Sequence, residues 1–240
     1  VTDAVDKNTT ISDVASLADI EISGTADTAN TNLTVTYAST STVATGTQTD
    51  VQNLKVTNQG SINTKTDGTT NAKFMTVDID KVETLAITTA GTANSLDLSQ
   101  SADVKTVTVA GEGQTEIKAV VTATTSFDAS AATGKVIANL SNAASDSLTT
   151  VKGGSSDDSL TVVADDLTTS ATVAGGAGSD KLIIGANLGK TLQLAMTGVE
   201  TLEVGAITSA LTFSGTNVSD LTTLKVQGPG AAVSLVNSKA

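Results

Sequence analysis

The stretch GGSSDDSLTVVADDLTTSATVAGGAGSDKLII, residues 153–184, decides how the rest of the chain reads. Two apolar-x-apolar pairs within it, Leu160/Val162 and Leu182/Ile184, begin 22 residues apart. A third pair, Ala171/Val173, lies midway between them. Such a pair points two side chains to the same face of a strand, and Val and Thr, being β-branched, favour extended structure. The segments between pairs are rich in Gly, Ser and Asp, the residues of tight turns. One glycine turn opens at Gly153 and another at Gly175, again 22 residues on. The stretch reads as strand and turn alternating with a fixed period.

The period extends along the chain. One series runs Leu33/Val35, Leu54/Val56, Met75/Val77, Leu96/Leu98, Ile117/Ala119 and Ala138/Leu140, then Leu160/Val162, Leu182/Ile184, Leu202/Val204 and Leu224/Val226. Its steps are five of 21 residues, followed by 22, 22, 20 and 22. A second series falls between, with Leu85/Ile87, Val107/Val109, Ala171/Val173, Leu192/Leu194, Leu211/Phe213 and Val233/Leu235. Val43, Ile62, Phe127 and Leu148 fill its gaps less cleanly. VETLAI (82–87), VKTVTV (104–109), VETLEV (199–204) and LTTLKV (221–226) share the form apolar-x-Thr-apolar-x-apolar. They are variants of one unit.

A single two-stranded coil cannot bury its own apolar face, whereas stacked coils close a continuous core. The expected fold is therefore all-β: a parallel β-solenoid of about ten coils of roughly 21 residues each. A β-sandwich shares the short strands and frequent turns, but the sustained period favours the solenoid. Leu54, Met75, Leu96, Leu182, Leu202 and Leu224 are expected to lie buried in one parallel sheet. Residues 1–30 keep the register poorly and read as an irregular first coil or cap, with 31–240 as the solenoid. The chain opens at Val1 without a signal segment and closes on AAVSLVNSKA without an evident cap. Solenoid ends need cover, so it reads as a fragment of a larger protein.

Composition narrows the function classes. Among 240 residues there is no Cys and no His, and all 13 basic residues are Lys. Disulfides, thiolate metal sites, and Ser-His-Asp or Cys-His catalysis are excluded. A net charge of −12 argues against nucleic acid, whose phosphates call for clustered Lys and Arg. No run of about 18 apolar residues marks a helix for membrane insertion. Aromatic residues make up 2% of the chain, too few for the platforms that usually line sugar-binding clefts.

The turn GGAGSDKLI (175–183) fits the nonapeptide G-G-x-G-x-D-x-U-x at Gly175, Gly176, Gly178, Asp180 and Leu182. GGSSDDSLT (153–161) keeps Gly153, Gly154, Asp158 and Leu160, with Ser156 in place of the third glycine. One period apart, the two turns fall on the same edge of adjacent coils. Ca2+ takes six to eight hard oxygen ligands, and glycine lets backbone carbonyls turn toward an ion. Asp158 and Asp180 would supply carboxylates. The competing reading is a pair of Gly-Asp turns with no metal.

These turns resemble those of RTX-type β-rolls. The richness in Thr, Ala, Val and Asp, the lack of Cys and the VETLxV repeats resemble bacterial surface-layer proteins. The resemblance implies an exported, calcium-binding structural module in a cell-surface lattice, with a secreted RTX-type adhesin as the alternative. The partners it implies are copies of the chain, adjoining lattice domains and a cell-surface glycan. RTX arrays carry their nonapeptides in tandem on both edges. Here most coils lack them, so calcium is expected as a local staple.

An enzyme is the other class weighed, because parallel β-helices include polysaccharide-active enzymes. Asp157/Asp158 and Asp165/Asp166 are the candidate acid pairs, and a glycosidase needs two carboxylates flanking one bond. Without Arg or aromatic platforms, turn or ion-binding roles fit these residues better, and no catalytic residue is expected. An ice-binding face would need a regular file of outward Thr. The midpoints of the first series include Lys55, Asp97, Lys118, Asn139, Ile183 and Glu203, which break it.

Overall fold

The structure, a computed structural model, describes residues 2–3, 8–24, 30–39, 41, 43, 49–61, 73–141, 143–185, 191–192, 194–205, 211–214, 218, 220–227 and 233–236. Successive strands alternate between two sheets. One, of nine strands, holds Thr2–Asp3, Ile20–Ser23, Val51–Thr57, Thr84–Ala90, Thr106–Gly111, Ser126–Ala132, Leu148–Lys152, Leu167–Ala174 and Ala195–Thr197. The other, of ten, holds Thr9–Val14, Thr31–Tyr37, Met75–Ile79, Asn94–Asp97, Thr115–Ala119, Val136–Asn139, Ser159–Val163, Lys181–Gly185, Thr201–Val204 and Thr223–Val226. The pairings along both sheets are parallel. The chain is a β-solenoid of about eight turns.

Alternation explains the strands. Lys181–Gly185 and Thr201–Val204 bury every second residue, and Leu182, Ile184, Leu202 and Val204 are all 0% exposed. Across the ten-stranded sheet, Leu160 pairs with Leu182, Leu182 with Leu202, and Leu202 with Leu224. The facing sheet stacks Leu85, Val107, Phe127, Val151, Val173 and Met196. Small aliphatic side chains fill the thin space between two sheets, which is why few aromatics are needed. Phe127, a loose fit to the repeat by sequence, sits squarely in this column and is fully buried.

The N-terminal half corrects the coil count and the membership of Leu54. That residue lies in the nine-stranded sheet, paired with Ile20 and Ile87, and not with Met75 and Leu96. Leu33 pairs with Val77, so the coil there is twice the usual length. The connections on either side of Val51–Thr57 are each longer by about half a period. The 21-residue spacing therefore survives while the sheet in which a periodic position falls changes. Leu224 is in the expected sheet but is 40% exposed, and Val226 is 50% exposed. Both belong to the last strand of that sheet, which no further strand covers on its outer edge among the described residues.

Residues 1–30 contribute strands to both sheets, with Ile11 facing Val35 and Ile22 facing Val56. Near the other end a third sheet appears, of Thr191–Leu192, Leu211–Ser214 and Val233–Val236. The nine-stranded sheet meanwhile continues through Ala195–Thr197, so Met196 takes the place the sequence assigned to the Leu192/Leu194 pair. Ile62 lies outside the described residues.

Candidate functional site

Each coil turns from the nine-stranded to the ten-stranded sheet at one edge, and both glycine turns lie there. Strand register places Val136, Asp158, Asp180 and Glu200 in one column, at the residue before or at the start of four successive strands. The carboxylates of this column reach back one coil. Asp158 Oδ1 accepts the Val136 amide at 2.7 Å, Asp180 Oδ1 accepts the Asp158 amide at 2.7 Å, and Glu200 Oε2 accepts the Asp180 amide at 2.7 Å. Each acid thereby satisfies a backbone donor that the coil before it would otherwise leave unpaired.

The two glycine turns differ in one respect. In the first, Asp158 Oδ2 also accepts the Gly154 amide, so both its oxygens are engaged. In the second, Asp180 Oδ2 is buried and has no hydrogen-bond partner, although the residue is only 2% exposed. Burial pushes the Asp180 carboxyl up to about 6; the Asp158, Glu200 and Asp157 carboxylates add to the rise, and the Asp158 amide opposes it. Asp158 is also raised, mainly by burial. An unpartnered buried carboxylate oxygen costs free energy unless a proton or a cation joins it.

The glycines serve close stacking. Gly176 has φ +111° and lies directly over the Gly154 carbonyl, where a side chain would collide. The missing Cβ of Gly175 leaves space that Asp180 Oδ2 approaches to 2.6 Å and the Gly198 carbonyl approaches more closely still. Gly178 backs onto Ser156, whose hydroxyl donates to the Thr133 carbonyl at 2.8 Å. The Gly154 carbonyl accepts the Ala177 amide at 3.1 Å.

Thus Gly153, Gly154, Ser156 and Asp158 lie one coil above Gly175, Gly176, Gly178 and Asp180, on one edge. Hydrogen bonds already take up both oxygens of Asp158. The second turn keeps a free carboxylate oxygen facing a carbonyl, an oxygen donor set suited to a hard cation. Among the described residues, no three acidic side chains converge closely enough to hold a metal ion together.

The members of the first candidate acid pair face different coils. Asp157 is exposed and accepts the Ser179 amide at 2.8 Å, in the coil that follows. Asp158 is buried and faces the coil that precedes. Asp165 and Asp166 occupy the turn between Ser159–Val163 and Leu167–Ala174, on the opposite edge of the solenoid. A surface pocket is lined by Asp19, Glu21, Asn53, Lys55 and Thr88. Asn53 Nδ2 donates to Asp19 at 2.9 Å, and Lys55 pairs with Glu21 at 2.7 Å.

Glu200 was missed by the motif, yet it was legible. Asp158-Ser-Leu160, Asp180-Lys-Leu182 and Glu200-Thr-Leu202 are the same acid-x-Leu unit one coil apart. Glu83 of the matching VETL unit accepts the Asp50 amide through Oε2 at 3.2 Å on the other sheet. The repeated unit is therefore half a coil, and it serves both sheets.

Fold and edge together define a parallel β-solenoid with an acidic, glycine-rich edge. No family model matches the chain, no curated protein matches it, and no solved structure matches it.

Proposed function

We propose that the chain is a structural module of an exported bacterial surface-layer protein, locally stapled by calcium. The observation that carries this reading is the use of the acids. Asp157, Asp158, Asp180 and Glu200 hold backbone amides of neighbouring coils. Asp103 holds the Lys81 amide and Asp220 the Gly198 amide in the same manner. Carboxylates committed to stacking serve a rod, whereas catalysis would need them paired across a cleft. The net charge of −12 would keep such rods apart unless cations screen or bridge them.

Calcium is supported by the unpartnered Asp180 Oδ2 beside the Gly198 carbonyl. Asp180 and the carbonyls stacked against its turn are the groups that would hold it, since amides engage both oxygens of Asp158. When bound, the ion would neutralise carboxylates that stacking brings close together. The chain's own residues supply the rest: glycines admit the close approach, and the acids fix the amides. Copies of the chain, adjoining domains and a cell-surface glycan are the partners that follow. Light scattering on the purified chain tests the proposal. Its mass should grow on adding calcium and return when a chelator is added. A chain that stays monomeric at every calcium concentration would sink the lattice role.

A further inference from the structure

We infer that a divalent, oxygen-seeking cation sits between the turn at Gly175–Asp180 and the turn at Gly198–Glu200, held by Asp180 Oδ2, the Gly198 carbonyl and the Glu200 carboxylate. This rests on the calcium reading above and names ligands that the nonapeptide does not contain.

Four observations carry it. Asp180 Oδ2 is buried without a partner, while both oxygens of Asp158, in the better-provided turn, are engaged by amides. The Gly198 carbonyl and Asp180 Oδ2 converge on the space that a Cβ of Gly175 would fill. Glu200 is anchored at the same coil boundary through Oε2, which accepts the Asp180 amide at 2.7 Å. Finally, Asp220 Oδ2 accepts the Gly198 amide at 2.7 Å and fixes the turn that presents the carbonyl.

Two carboxylates and one carbonyl form a partial shell, which water would complete to the six to eight oxygens that calcium takes. Few charged ligands mean modest affinity, about 10⁻⁴–10⁻³ M, the range of extracellular calcium modules. Magnesium asks for stricter octahedral geometry and should bind more weakly.

Isothermal titration of the whole chain with calcium chloride at neutral pH, on wild type and Glu200→Gln, provides the test. Gln can still accept the Asp180 amide, so the variant should keep its strand content by circular dichroism. Calcium affinity should fall at least about 10-fold. Wild-type binding with Glu200→Gln unchanged would overturn this placement and return the ion to the motif pair. No binding by wild type at millimolar calcium would overturn the calcium reading itself.

Discussion

Asp180 carries opposing demands. Its Oδ1 holds the Asp158 amide, and its Oδ2 is buried among other carboxylates, so the carboxyl is pushed up from 3.8 to about 6. A raised carboxyl means the folded state binds a proton more tightly than the unfolded chain. In chelator, the stabilisation from that proton is complete below the unfolded value of 3.8 and disappears as pH rises through about 6. Thermal melts without calcium should therefore show stability declining from pH 4 to pH 7 at this site, and Asp180→Asn should flatten the decline. A cation replaces the proton, so added calcium should restore stability at neutral pH in wild type. Asp180→Ala should lose most of that response while keeping its strands, because most coils carry no such turn. Gly176 answers to sterics instead: at φ +111°, over the Gly154 carbonyl, its replacement by Ala should destabilise the chain by about 1–3 kcal/mol in denaturant titrations.

Strands were the most legible elements, and for a physical reason. Period-two alternation marks a buried face, and from Met75 to Leu202 it keeps its register coil by coil. What spacing could not reveal is sheet membership where loops lengthen. Leu54 fits the period but sits in the opposite sheet, because each adjoining connection gained about half a period. The edge was half legible: the glycines and two aspartates announce themselves, whereas Glu200 lies in a turn without the motif. Its acid-x-Leu position is visible only once the columns are aligned. The role of an element also depends on its neighbours. Leu202 is fully buried between two strands, while its partner Leu224 on the last strand is 40% exposed. Leu202→Ala should cost about 2–5 kcal/mol in chemical denaturation, and Leu224→Ala clearly less. Equal losses would mean that the last strand is covered like the others.

At the scale of the molecule, the solenoid offers two sheet faces, an edge tied by carboxylate–amide hydrogen bonds and an end strand bearing exposed Leu224 and Val226. Strand ends of this type invite further pairing unless covered, and contacts made head to tail or side by side extend without closing. Calcium binding to the folded state alone should raise the melting temperature with free calcium concentration. A net charge of −12 would make association between copies cation-dependent. Electron microscopy of the purified chain, with and without millimolar calcium, tests the proposed lattice role. Calcium should give ordered two-dimensional arrays, and chelator dispersed rods. Dispersed rods under both conditions would contradict that role.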